Sequence, residues 1–226
     1  MKRSILLAAI LFACLRTVAQ DHEAEQIVFN YVKLVADKGY LDTIRTTKII
    51  ATAKIQGGDS MNILILKDAG RAYYMKVTTS QGQQVRIYNK GKAVMMVGSE
   101  KTAITDAAEL DELKLQTNIL PDVAYKKHGY KMTLEGISKL DGVEYHAVRL
   151  ESPNGYTKTN YYETKTGLLR RIDVGGIITQ LTEYVKFKGG LYNKRNIVTF
   201  PEGAVLEMVI EEITNNEKID PAVFEF

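Results

Sequence analysis

Residues 143–213 read VEYHAVRLESPNGYTKTNYYETKTGLLRRIDVGGIITQLTEYVKFKGGLYNKRNIVTFPEGAVLEMVIEEI. Apolar and polar residues alternate along most of its runs, which in an extended chain sends successive side chains to opposite faces. Leu181, Val185 and Phe187 oppose Gln180, Thr182 and Lys186, and Leu206, Met208 and Ile210 oppose Glu207 and Glu211. The alternation is less clean around Val143, Tyr145 and Ala147. Between the runs stand Pro153-Asn154-Gly155, Thr166-Gly167, Gly175-Gly176, Gly189-Gly190 and Glu202-Gly203, residues that accept a positive φ or preset a turn. No helical period interrupts, so the stretch predicts a long antiparallel meander.

Upstream, the period is first helical and then two. From Asp21 to Lys38, Ile27, Val28, Tyr31, Val32, Leu34 and Val35 recur on one side of a helical wheel. Acidic residues crowd the start, and Gly39 is placed as a C-terminal cap. From Thr46 onward, Ile49, Ala51, Ala53 and Ile55 share a face opposite Lys48, Thr52 and Lys54. Strands are then predicted over 61–66, 72–78, 83–88 and 93–97, separated by glycine-containing turns. Ile63 to Leu66 and Val94 to Val97 are apolar on both faces, unexpected in an antiparallel sheet with one wet side. Either they are covered on both faces, or one face lines an apolar cavity.

The β pattern breaks from about Thr102 to His128. Asp106 is a plausible cap for a helix carrying Leu110 and Leu113 on its apolar side, and Pro121 opens a shorter helical segment that Gly129 ends. Strands resume at Tyr130, and Asp141-Gly142 is a hairpin signal into the meander. With no repeat or linker, one domain over 21–226 is expected.

The first twenty residues read differently. Lys2 and Arg3 precede an apolar run, and Thr17-Val18-Ala19 supplies small residues before a cleavage point, the order of a secretory signal peptide. The run is shorter than the roughly 20 residues a membrane-spanning helix needs. Without Lys2, Arg3 and Arg16 the basic residues number 27 against 27 acidic ones, so nothing in the overall charge draws the chain to nucleic acid or to an anionic membrane. The single cysteine, Cys14, falls in this leader. A mature chain starting near Gln20 therefore has no thiol or disulfide. Leu11-Phe12-Ala13-Cys14 also resembles a lipobox, which would anchor the protein through Cys14, although Phe12 is bulky for that pattern.

Signals for catalysis are poor. There is no Gly-x-Ser-x-Gly elbow, no His-Glu-x-x-His pair, no phosphate loop and no dinucleotide fingerprint. His22, His128 and His146 are scattered. His128 reads as a surface charge at a helix end, and His146 as a solvent-facing strand residue, with a cavity-facing position beside Tyr145 as the lesser alternative. Glu207, Glu211 and Glu212 read as the wet face of a strand, and Lys126-Lys127 and Arg170-Arg171 as solvated pairs. No cofactor and no metal site is expected. Tyrosine is plentiful at 13 and tryptophan absent; Tyr73, Tyr74, Tyr156, Tyr161 and Tyr162 could furnish a ligand platform, though aromatics are also simply good strand residues.

The order helix, strands, helical interruption and meander, closing on Ile219-Asp220-Pro221-Ala222-Val223-Phe224, resembles the LolA/LolB-type periplasmic lipoprotein-carrier superfamily, outer-membrane lipoprotein-sorting proteins, and above all its Bacteroidetes-type branch. The specific echoes are Tyr31-Val32 with Gly39, Leu41 and Ile44; Tyr161-Tyr162-Glu163-Thr164-Lys165-Thr166-Gly167-Leu168-Leu169; and Glu183-Tyr184 followed by Gly189 to Ile197. The resemblance implies a mainly β (α+β) fold: a curved antiparallel sheet forming a half-open barrel, covered by the N-terminal helix and a mid-chain helical lid. It implies a monomeric, non-catalytic periplasmic carrier for a lipid or acylated ligand, outer-membrane lipoproteins among them. The residues expected to line its cavity are Ile63, Ile65, Tyr73, Met75, Val94 and Met96, with Leu110 and Leu113 from the lid. Arg71 stands about where such carriers place a basic residue, but reads more readily as a strand-edge surface arginine. The chain departs from the pattern in having Lys92-Ala93-Val94 where relatives often carry a tryptophan. Two other readings compete: a structural or interaction module whose barrel is filled by its own side chains, and a secreted hydrolase using His146 or Glu207.

Overall fold

The computed structural model describes residues 21–187 and 189–226; the expected leader and the Cys14 anchor lie outside them. Helix α1 (residues 21–35) is followed by the single turn α2 (Lys38–Leu41) and six strands: β1 (Thr46–Ile55), β2 (Ser60–Asp68), β3 (Ala72–Thr79), β4 (Gly82–Asn89), β5 (Lys92–Val97) and β6 (Glu100–Ile104). An arm then carries α3 (Ala107–Gln116) and a 3-10 turn (Pro121–Ala124). The meander supplies β7 (Lys131–Leu140), β8 (Val143–Glu151), β9 (Thr157–Glu163), β10 (Leu169–Val174), β11 (Ile177–Phe187), β12 (Gly190–Thr199) and β13 (Val205–Asn215). The tail ends in a second 3-10 turn, Pro221–Phe224.

All strands join one curved 13-stranded antiparallel sheet, ordered β6-β5-β4-β3-β2-β1-β13-β12-β11-β10-β9-β8-β7. The first and last strands meet in its middle, where β1 pairs with β13 through a bulge between Ile50 and Ala51. The two edges, β6 and β7, are not paired to each other, so the sheet is a half-open barrel.

Both helices lie on the same face. The register Leu181↔Asn196↔Met208↔Ala53↔Met61 carries one face across β11, β12, β13, β1 and β2. At one end of that face α1 buries Ala24, Val28, Tyr31 and Val35 against Val148, Leu150, Tyr162 and Leu181. At the other, α3 buries Leu113, with Leu110 beside it, against Tyr73, Tyr88 and Ala93. A tyrosine or leucine taken fully out of water contributes about 1.5–3 kcal/mol, so these two seams hold the helices down. Asp106 caps α3 by accepting from the Glu109 backbone amide at 2.8 Å.

The doubly apolar strands have a simple cause. Ile65 faces α3, whereas Leu64, Leu66, Val94 and Met96 face the outer side, where Ile219, Val223 and Phe224 of the tail pack on them. Both faces are covered over Leu64 to Leu66 of β2 and at Ala93 and Val94 of β5, while Val97 at the end of β5 is 55% exposed.

One sequence expectation is corrected at the end of α1. Gly39 is not its cap: α1 stops at residue 35, Ala36 bridges to Gly190 of β12, and Asp37 caps α2 by accepting from the Tyr40 amide at 2.8 Å. Pairing with the sheet takes the chain out of the helix before the glycine is reached. The strand β6 also falls where the β pattern was expected to end. Its residues are almost all exposed, so no alternation marks it.

Candidate functional site

Three regions of the inner face carry the chemistry. The first is a cleft of about 710 Å³ between α1 and the arm, within the roughly 300–1,000 Å³ typical of small-molecule sites. It is lined by Val28, Phe29 and Val32 of α1, by Leu120 and Val123 of the arm, and by Met132 and Ile44. Phe29 is 55% exposed. The cleft is held at both ends of α1. Asp21 accepts from Thr133 Oγ1 at 3.1 Å and Glu25 pairs with Lys126 at 2.8 Å, while the Asp37 amide donates to the Gly189 carbonyl at 2.8 Å.

The second region is a buried polar network under the arm. Lys158 Nζ lies 3.3 Å from Glu112 Oε2 and sits over the Tyr125 ring at 5.3 Å. Asn160 donates to the hydroxyls of Tyr162 at 3.1 Å and Tyr125 at 3.4 Å. Tyr184 donates to the Leu169 carbonyl at 2.6 Å. Lys67 Nζ donates to the Asn118 carbonyl at 3.0 Å. Burial pulls its pKa down to about 8, against the opposing pull of Glu112 and Asp122. Burial raises Asp122, outweighing the nearby Lys158, and pushes the Tyr31, Tyr125 and Tyr162 hydroxyls well up, so all three tyrosines are neutral. Asp122 Oδ1, Asn160 Oδ1 and the Tyr130 hydroxyl are buried without a hydrogen-bond partner among the described residues.

The lysine gives a pH signature. Its folded pKa of about 8 lies below the free value of 10.5, so between the two the unfolded chain holds the extra proton. Stability therefore rises with pH across that window. Urea titrations from pH 7 to 11 are expected to show the wild type gaining on the order of 3 kcal/mol relative to Lys67→Met. Parallel curves for the two proteins would contradict a buried lysine whose pKa is lowered.

The third region lies between the helix-covered areas. There the inner face of β13, β1 and β2 carries Met208, Ile210, Ala51, Ala53 and Ile63, which belong to neither helix-packed cluster.

The eight residues expected to line a cavity divide between faces. Ile65, Tyr73, Met75, Leu110 and Leu113 form one inner cluster under α3. Ile63 shares their face, paired with Ala51 and Val77. Val94 and Met96 lie on the outer side beneath the tail. None of the eight lines the cleft. Phe29, Leu120 and Lys67 had no mark in the sequence: Phe29 is off the main helical stripe, and a lysine within an alternating strand reads as wet.

Other side chains are placed as follows. Arg71 is 72% exposed and pairs with Asp68 at 2.8 Å. Glu207 pairs with Arg195, and Glu211 accepts from Thr52 at 2.8 Å. His146 is half-buried, paired in register with Tyr162, and so is not the solvent-facing residue expected. His128 is also half-buried, its Nε2 3.1 Å from Asn118 Nδ2. Burial, with Lys114 and Lys127 nearby, lowers its pKa, so it is not the surface charge expected. Among the described residues no group of three or more His, Cys, Asp or Glu is placed to hold a metal ion.

No family model matches the sequence, and no curated relative does. Solved structures do match the fold. A DUF1329-family protein of Desulfovibrio piger is 13% identical, with a TM-score of 0.62 over 91% of this chain and 97% of its own. A LolA-superfamily protein of Nitrosomonas europaea is 9% identical, with a TM-score of 0.62 over 90% and 97%. A Vibrio parahaemolyticus protein described as an outer membrane lipoprotein-sorting domain is 8% identical, with a TM-score of 0.61 over 91% and 97%. The fold is therefore LolA-like.

Proposed function

We propose that the protein is a monomeric, non-catalytic carrier of the bacterial envelope that holds a lipid or acylated ligand between its sheet and helices. A fold alone does not assign a function; the observation that carries the reading is the apolar cleft between α1 and the arm, walled by Val28, Val32, Leu120 and Met132. The half-open barrel leaves α1 and the arm as its covers, which is the arrangement a ligand needs to enter and leave. The structurally similar LolA-superfamily and lipoprotein-sorting proteins support an acylated cargo and a periplasmic location.

Phe29→Glu tests the cleft, because the ring is exposed there and its loss does not empty the core. A fluorescent fatty-acid probe is expected to bind the wild type and to bind Phe29→Glu about tenfold more weakly, the size of one lost apolar contact. Equal affinity would remove the cleft as the site.

A second reading has its own observation. Tyr31, Tyr125, Tyr162 and Asn160 fill the space under α1, so that half of the barrel is occupied by the chain's own side chains. A structural or interaction module would look the same there, and would bind no probe.

A further inference from the structure

Resting on the carrier reading, we propose that the cleft selects an amphiphile with a negatively charged headgroup, the acyl chain lying along α1 and the head held at a cationic rim. The rim is not balanced. Lys33, Lys38, Arg45, Lys126 and Lys127 line the cleft together with the acids Glu25 and Asp42, while Asp122 lies at depth. Both rim acids are already engaged, Glu25 by Lys126 at 2.8 Å and Asp42 by Lys38 at 2.8 Å. Lys33, Arg45 and Lys127 are left with no carboxylate partner among the described residues. The Arg45 guanidinium donates to the Asp42 backbone carbonyl, at 3.0 Å, and Lys33 lies 5.4 Å from the Phe29 ring.

Three cations without a carboxylate partner therefore line an apolar cleft in a chain whose residues 21–226 carry 27 basic and 27 acidic side chains. The asymmetry is local to this mouth, so it acts on what sits in the mouth and not on polyanions at large. A lone apolar molecule would gain nothing from it. An amphiphile whose tail is drawn in by Val28, Val32 and Met132 brings its head to the cations, where a phosphate or carboxylate accepts charge-assisted hydrogen bonds from Arg45 and the lysines. Phe29, over which Lys33 sits, marks the boundary between the apolar wall and the charged rim.

Two lysophospholipids with the same acyl chain separate the head from the tail: lysophosphatidylglycerol, which is anionic, and lysophosphatidylcholine, which is zwitterionic. Calorimetric titration of the purified protein at low salt is expected to show lysophosphatidylglycerol binding about tenfold more tightly, the sum of a few exposed charge contacts. The gap is expected to narrow as salt rises. The triple variant Lys33→Gln/Arg45→Gln/Lys127→Gln, built from exposed residues and checked by circular dichroism, is expected to lose the gap, its lysophosphatidylglycerol affinity falling to that for lysophosphatidylcholine. Equal affinities in the wild type, or a gap surviving in the triple variant, would overturn the headgroup assignment while leaving the carrier intact. Binding of neither lipid would overturn the carrier reading itself. Adhesion to anionic vesicles without uptake of either lysolipid would make the rim a membrane-docking surface and likewise overturn the proposal.

Discussion

Gly190→Ala is expected to destabilise the protein by about 3 kcal/mol or more. A Cβ at this position would stand 2.0 Å from the Val35 carbonyl oxygen and 2.9 Å from its carbon. The obstacle is backbone, not the end of a flexible side chain, and Gly190 itself has φ 155°. Relief requires the end of α1 to lift from β12, breaking the Ala36–Gly190 bridge and the 2.8 Å bond from the Asp37 amide to Gly189. Val35 and Tyr31 then lose their seat against the sheet. Urea unfolding would read the loss, and hydrogen exchange should show the amides of α1 opening first. A change below 1 kcal/mol would mean that α1 is not fastened at this seam. Because α1 is one wall of the cleft, ligand binding is expected to fall with it.

Lys158→Ala is expected to cost about 3–5 kcal/mol, the range for removing one partner of a buried ion pair. Its side chain is 7% exposed and its nearest anion, Glu112, 18%. Removing the ammonium leaves Glu112 facing a low-dielectric interior that also contains Asp122, and strips a cation from the Tyr125 and Tyr156 rings at 5.3 and 5.9 Å. The double variant Lys158→Met/Glu112→Gln keeps the volume and removes both charges, so it should recover most of the loss. A double variant no more stable than Lys158→Ala would show that packing, and not the unpaired carboxylate, sets the cost.

These two sites also show where the sequence was silent. Alternation within Ile49–Ile55 and Leu206–Ile210, and glycine at the turns, announce the strands because side-chain direction alternates with every residue of an extended chain. Asp106 and Pro121 mark the arm because capping and proline geometry are local. The junction at Gly190 is different: its reason is Val35, far away in the chain, and an isolated Gly189-Gly190 reads as an ordinary turn. Lys67 and Lys158 each occupy an alternating position where a charged residue signals water, yet both are buried by the arm folding over them. Val94 and Met96 were grouped with the inner face because a strand apolar on both sides does not declare which side meets a helix and which meets the tail. The pairing of β1 with β13, which places both halves of the chain in one sheet, has no local sequence sign at all.

The cargo is the central claim, and mass spectrometry of the protein isolated from the bacterial envelope under native conditions tests it most directly. The account predicts a bound amphiphile, seen as added mass that is released on denaturation and identified as an acylated molecule. A clean apo mass, together with no binding of a fluorescent fatty acid, would contradict it.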